Sequence, residues 1–114
     1  MDHEHFCILR KGVPIWDEWR EQNPENIPDL SEADLSWADL SGANLSGANL
    51  DFSGWPLWCG SFNVKIDKRI AAQLAYHFCR VICDDPEVQA AQKALWPLAN
   101  QFHRIGDNIY KLGE

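Results

Sequence analysis

Residues 29–55 read DLSEADLSWADLSGANLSGANLDFSGW, and this stretch decides how the rest of the chain can fold. Leucine recurs at Leu30, Leu35, Leu40, Leu45 and Leu50, alanine stands two places before four of them, and Asp or Asn fills the slot between. A period of five fits neither the 3.6 residues of an α-helix nor the alternation of a flat strand, so the backbone has to turn a corner once per repeat. Each corner is expected to point its leucine inward beside a small alanine. The polar Asp, Asn, Ser and Gly are left for the corners, where short side chains and positive φ are tolerated.

These residues resemble the motif A(D/N)LXX of the pentapeptide-repeat family, with five consecutive matches. The resemblance implies a right-handed quadrilateral β-helix in which four pentapeptides complete a coil. It would stack Leu50 above Leu30 and put Trp55 above Leu35 with Ser53 as its small neighbour, while Pro28 replaces the alanine before Leu30. So short an array leaves its apolar bore open at both ends, and repeat arrays need caps. The expected fold class is therefore mixed α+β: a short quadrilateral β-helix, a pentapeptide-repeat solenoid, capped by an N-terminal helix and a C-terminal helical hairpin. The expected segments are an N-terminal cap over 1–27, the solenoid over 28–56 and a helical part over 57–114, all in one compact unit.

Upstream, Trp16 and Trp19 lie at helical spacing with Asp17, Glu18, Arg20 and Glu21 on the other side. Pro14 suits a first helical turn and Asn23-Pro24 ends one, which predicts a helix from Val13 to Gln22. The stretch GVPIWDEWREQNPENIPDL also looks like the leader ahead of many pentapeptide arrays, which implies that both tryptophans plug the first coil. His3, His5 and Cys7 alternate, so an extended strand would present them together to a metal; Cys7 also reads as a small buried apolar residue.

Downstream, Phe62, Val64 and Ile66 alternate as in a short strand, and Asp67 offers an N-cap to a helix reaching about Cys83 with Ile70, Ala71, Leu74, Phe78 and Ile82 as its apolar stripe. Asp85-Pro86-Glu87 starts a second helix carrying Val88, Ala91, Leu95, Leu98, Phe102 and Ile105. Pro97 should kink or split it and Gly106 should end it, and the two helices should pair antiparallel.

On a continuous helix Cys79 and Cys83 would share one side, awkward for a disulfide but suited to a tetrahedral metal. With Cys59 from the entering loop and His103 from the second helix they make a candidate structural zinc site, His77 being the competing fourth ligand; the other reading is that the cysteines are small core residues. Four protein ligands would leave no position open for water.

The net charge of −7 is unevenly placed: residues 1–60 hold eleven acids and three bases (−8), residues 61–114 six acids and seven bases (+1). An acidic surface repels nucleic acid and attracts proteins that bind it. There is no phosphate loop, no nucleophile with an evident base and no isolated carboxylate pair, so no enzyme is expected. No run of eighteen apolar residues and no signal-peptide pattern appears, which points to the cytoplasm, where the cysteines are expected as free thiols or metal ligands rather than disulfides.

The function expected is that of an acidic, non-enzymatic protein-binding protein. It would inhibit a bacterial nucleic-acid-processing enzyme of CRISPR-nuclease or topoisomerase type by competing with DNA, and would come from a phage or mobile element. Glu32, Asp34, Asp39 and the exposed corner residue Trp37 are the expected contacts. Members of the family that confer quinolone resistance resemble duplex DNA in width and charge and occupy the DNA site of gyrase, although this chain is much shorter than a long duplex mimic. The alternative is a structural or scaffolding module with a zinc-stabilised hairpin.

Overall fold

Each five-residue repeat closes as one β-turn. The computed structural model describes residues 2–113, and in it the leucine carbonyl accepts from the backbone N–H three residues on: Leu30 from Ala33 (3.1 Å), Leu35 from Ala38 (3.0 Å), Leu40 from Ala43 (2.8 Å), Leu45 from Ala48 (3.0 Å) and Leu50 from Ser53 (3.1 Å). The third turn residue has positive φ at Glu32, Gly42, Gly47 and Phe52, the type II requirement. Trp37 fills the same slot without it. The Asp or Asn before each leucine folds back, its Oδ1 accepting the N–H two residues later, at Ser31, Ser36, Ser41, Ser46 and Asp51. Only a short acceptor side chain makes this local turn, which is why the slot takes Asp or Asn alone.

The chain then passes alongside itself. Leu30, Leu35, Leu40 and Leu45 donate their N–H groups to the carbonyls of Asn49, Gly54, Gly60 and Lys65, while Asn49, Gly54 and Lys65 donate back to Pro28, Ala33 and Ala43. The separation grows from nineteen to twenty residues between Gly54 and Gly60, so one extra residue is absorbed near Pro56. All five leucines are buried, packed with Ala33, Ala43, Ala48 and Pro28.

The quadrilateral β-helix expected from the resemblance, and with it the α+β class, is not what this structure contains. Among the described residues there is no β-strand and no sheet, only α-helices and the isolated parallel bridges Asp29–Asn49, Asp34–Gly54 and Asn44–Lys65. The cause is the five-residue period itself: the turns consume so much of each repeat that no ladder extends beyond a single bridge. The strand expected over 62–66 is likewise absent, residues 61–63 being turn with one bridge at Lys65.

Two compact units divide the chain, Met1–Asp67 and Lys68–Glu114. In the first, α1 (His3–Arg10) precedes α2 (Val13–Gln22). The extended segment expected to align His3, His5 and Cys7 is thus helical, because Asp2 caps it by accepting from the N–H groups of Glu4 and His5. On α2, Trp16 is fully buried. Its Nε1 and the Arg20 guanidinium both donate to the Asn44 carbonyl (2.8 and 2.9 Å), Arg20 also reaches Ser46 O, and Asp17 accepts from Asn44 N–H. This helix therefore saturates backbone groups at the outer edge of the first pass of turns, where no neighbouring chain is present to pair them.

The second unit pairs α3 (Lys68–Arg80) with α4 (Pro86–Ala99). Ala75, Tyr76, Ala99 and Phe102 form its core, with Cys79, Leu98, Ile105, Ile109 and Leu112 packed around them. Asp85 caps α4 as expected. Helix α3 stops three residues short of Cys83, where the Gln92 side chain of α4 donates to Phe78 O in its last turn (2.8 Å) and to Val81 O just beyond its end (2.9 Å). Helix α4 ends two residues after Pro97 rather than at Gly106. The tail is pinned by Asn100, which exchanges hydrogen bonds with Leu112, and by Tyr76, which donates to Tyr110 O.

Candidate functional site

A cleft of about 480 Å³ opens in the first unit between α1 and the repeat turns. Its repeat side consists of Asp34, Leu35, Trp37, Ala38, Asp39 and Leu40, and its helix side of Phe6, Leu9, Arg10 and Gly12. The period of five creates this arrangement: Leu35 and Leu40 are buried beneath it, while the slot before each leucine and the corner slot between them leave Asp34, Asp39 and Trp37 on the rim. Trp37 is 85 % exposed although its turn neighbours on either side hold buried leucines. An indole so exposed contributes little to a core.

The rim carboxylates are held rigidly. Ser36 donates both its N–H (3.1 Å) and its hydroxyl (2.6 Å) to Asp34 Oδ1, and Ser41 does the same for Asp39 Oδ1 (3.1 and 2.7 Å). These hydrogen bonds, the side-chain one foremost, hold both carboxyls below the usual carboxylate range, so both are ionised at neutral pH. One oxygen of each is used locally and Oδ2 retains its acceptor capacity. Across the cleft, the Arg10 guanidinium lies 5.8 Å from the Phe6 ring centroid.

Three of the four expected contact residues, Asp34, Trp37 and Asp39, thus line one cleft, and Glu32 does not. Glu32 is exposed at a positive-φ corner whose N–H donates to Asp51 O. The residues that sequence reasoning missed are Phe6, Leu9 and Arg10. Their signal was present, since Asp2 followed by Glu4 is an N-cap with an acidic first turn, and Phe6 and Leu9 are three apart on the resulting face.

The four expected zinc ligands do not share an element. Cys59 sits in the turns of the first unit with φ of 86°, exposed. In the second unit, Cys79 is on α3 and donates to Gln92 O (3.3 Å), burial pushing its thiol pKa up. Cys83 lies beyond the end of α3, so the parallel placement of the two sulfurs on one helix does not arise. His103 follows α4 against Phe102, whose ring His77 also meets, at 5.1 and 5.8 Å respectively. Among the described residues no group of three or more His, Cys, Asp or Glu side chains is placed to hold a metal ion. His3 and Cys7 are exposed on α1, whereas His5 accepts from Asp29 N–H at Nδ1 (2.9 Å) and meets Trp19 at 4.9 Å.

No helix among the described residues is long and apolar enough to cross a membrane. No curated protein and no solved structure matches the chain. Residues 29–53 do match a family model, the one described as pentapeptide repeats (8 copies), so that stretch of the chain is a pentapeptide-repeat segment.

Proposed function

We propose that the chain is a non-enzymatic binding protein that meets a protein partner through the rim of Asp34, Trp37 and Asp39 together with nearby Glu32. Its partner would be a nucleic-acid-processing enzyme whose basic surface it occupies in competition with DNA. A pentapeptide-repeat segment is a protein-interaction or structural module, and such proteins are generally non-enzymatic. The observation that carries the finer reading is the nearly complete exposure of Trp37 between two ionised carboxylates. A surface aromatic in a charged setting is a typical anchor of protein contacts. The fixed negative charge selects a basic partner and rejects phosphate chains.

The test begins with capture of a partner from bacterial lysate by the tagged chain, and then measures inhibition of that partner's DNA binding. Replacing Glu32, Asp34 and Asp39 together by their amides should leave the melting temperature unchanged and severely weaken inhibition. Undiminished inhibition by this variant would overturn the reading.

A second reading, a scaffold module held by apolar contact, is favoured by one observation. Leu74, Phe78 and Ile82 follow one another at four-residue steps and are exposed, Ile82 to 96 %.

A further inference from the structure

The cleft between α1 and the repeat turns suggests what the partner inserts. We infer that it receives an arginine side chain of the partner protein, the guanidinium stacking on Trp37 and accepted by the carboxylates of Asp34 and Asp39. This rests on the reading of the rim as a protein-contact surface and adds the chemistry of the contact.

Four features converge on that occupant. First, the accessible apolar lining of the cleft comes from the half-buried Phe6 and Ala38 and from Trp37, which suits the aliphatic stem of a long side chain. Second, Trp37 offers its ring faces to solvent, and an indole is the best aromatic partner for a cation. Third, Asp34 and Asp39 each spend Oδ1 on a serine and keep Oδ2, so two carboxylate oxygens remain for a forked donor. Fourth, the serine bonds fix both carboxylates in place before any ligand arrives, which lowers the ordering cost of binding.

Arginine is favoured over lysine because a planar guanidinium can stack and donate in two directions at once, whereas an ammonium is a compact, strongly hydrated point charge. A stacked nucleobase is excluded by its attached phosphates, which the same carboxylates would repel. Among the described residues lining the cleft Arg10 is the one basic group, and it lies on the α1 side near Phe6. Its like charge opposes an incoming guanidinium. Removing it must therefore strengthen binding, whereas an acidic occupant would use Arg10 and be weakened by its loss.

The experiment titrates the full chain with a fluorescein-labelled, terminally blocked peptide carrying several arginines, alongside matched peptides with lysine or citrulline in their place. The arginine peptide should bind about fivefold or more tightly than the lysine peptide, and the citrulline peptide should not bind measurably. Trp37→Ala and the pair Asp34→Asn, Asp39→Asn should each weaken the arginine peptide about tenfold, with Trp37→Phe retaining part of the affinity. Arg10→Ala should tighten it. All these positions are exposed, so each variant should melt like the parent chain.

Equal binding of arginine and lysine peptides with indifference to Trp37→Ala would overturn the inference, as would weakening by Arg10→Ala. The two proposals fail separately. If the peptide pattern is absent while a captured enzyme is still inhibited through Glu32, Asp34 and Asp39, the arginine cleft falls and the acidic face stands. If the peptide pattern holds in full but no nucleic-acid enzyme is inhibited, the cleft stands and the enzyme partner falls.

Discussion

Replacing Leu40 or Leu45 by Asp would put a carboxylate where the leucines are 1 % and 0 % exposed, with no charge partner and almost no water. Ionised or protonated, that group carries a desolvation cost of at least several kcal/mol, comparable to the whole stability of a small domain. Either variant should lose its cooperative melt by circular dichroism. Leu40→Ala or Leu45→Ala should instead fold with a stability loss of about 2–5 kcal/mol in urea titration. The Asp slot behaves in the opposite way. Asp34→Asn or Asp39→Asn should barely change the melting temperature at neutral pH, because Asn44 and Asn49 already make the same backbone N–H hydrogen bond, and only the serine hydroxyl bond to an ionised carboxylate is lost. Acid should act on these turns with a definite sign. The folded pKa of Asp29, Asp34 and Asp39 is depressed, chiefly by serine hydrogen bonds. Their contribution is thus fully present above the unfolded range near ~3.9 and is lost as pH falls through the lower folded values. Carboxylate NMR titration of Ser36→Ala should show the Asp34 resonance titrating at higher pH than in the parent, and an unmoved midpoint would refute the assignment of the shift to Ser36. Within the repeats the sequence was legible at this scale, since a repeated residue in a repeated slot has one job, whereas Cys7, read as a small buried residue, is exposed on α1. Trp37 was legible as outward for the same reason, being the odd residue in a corner position.

Elements were legible where the punctuation was local and illegible where a distant side chain decided the outcome. Helix α2 has the expected bounds because Gly12, Pro14 and Asn23-Pro24 mark both ends within the segment itself. The end of α3 depends on Gln92 of another helix, which takes Phe78 O in the last turn and Val81 O just past it, and nothing near Arg80 announces that. Gln92→Leu should therefore cost about 1–3 kcal/mol, since it strands carbonyl groups that are partly buried. Hydrogen exchange should rise at the last turn of α3 before it rises at Tyr76, and uniform exchange across the helix would argue against this role. On α2, Arg20→Ala removes the hydrogen bonds to Asn44 O and Ser46 O together with the attraction of the neighbouring charges Asp17 and Asp67. Charge-assisted bonds of this kind are worth about 1.5–3 kcal/mol, so a loss in that range is expected in urea. Trp16→Phe should cost less for the hydrogen bond alone, because Arg20 continues to satisfy the same carbonyl. The β-helix failed as an expectation at this scale. A family resemblance carries the path of the chain, but whether neighbouring passes pair as strands depends on how many consecutive residues escape the turns, and here the bridges stay isolated.

Across the whole molecule, two kinds of exposed surface compete as explanations of binding, and they respond oppositely to salt. The first 60 residues hold eleven acids against three bases, for a balance of −8, and they include the rim of the cleft. The exposed apolar residues Leu74, Phe78, Val81 and Ile82 belong to the other unit, where acids and bases nearly cancel. The charge asymmetry was readable from the sequence, but this apolar row was not. Ile70, Ala71, Leu74, Phe78 and Ile82 look like a core stripe at helical spacing, yet the buried residues of α3 are Ile70, Ala72, Gln73, Ala75 and Tyr76, of which Ala75 and Tyr76 pack with Ala99 and Phe102, and Ile82 lies beyond the helix end. A partner held by the acidic rim should associate faster at low salt, and its affinity should fall steeply between about 50 and 200 mM salt as screening shortens to roughly 10 Å or less. A partner held by the apolar row should be nearly indifferent over that range, and should instead be released by Phe78→Ser with Ile82→Ser, substitutions at exposed positions that leave the core alone. Surface plasmon resonance on the captured partner, run as a salt series for the parent, the triple amide variant and the double serine variant, separates the two. The acidic-rim reading requires a steep salt dependence that flattens in the triple amide variant and persists in the double serine variant. A flat dependence in the parent, with binding lost only in the double serine variant, would place recognition in the second unit.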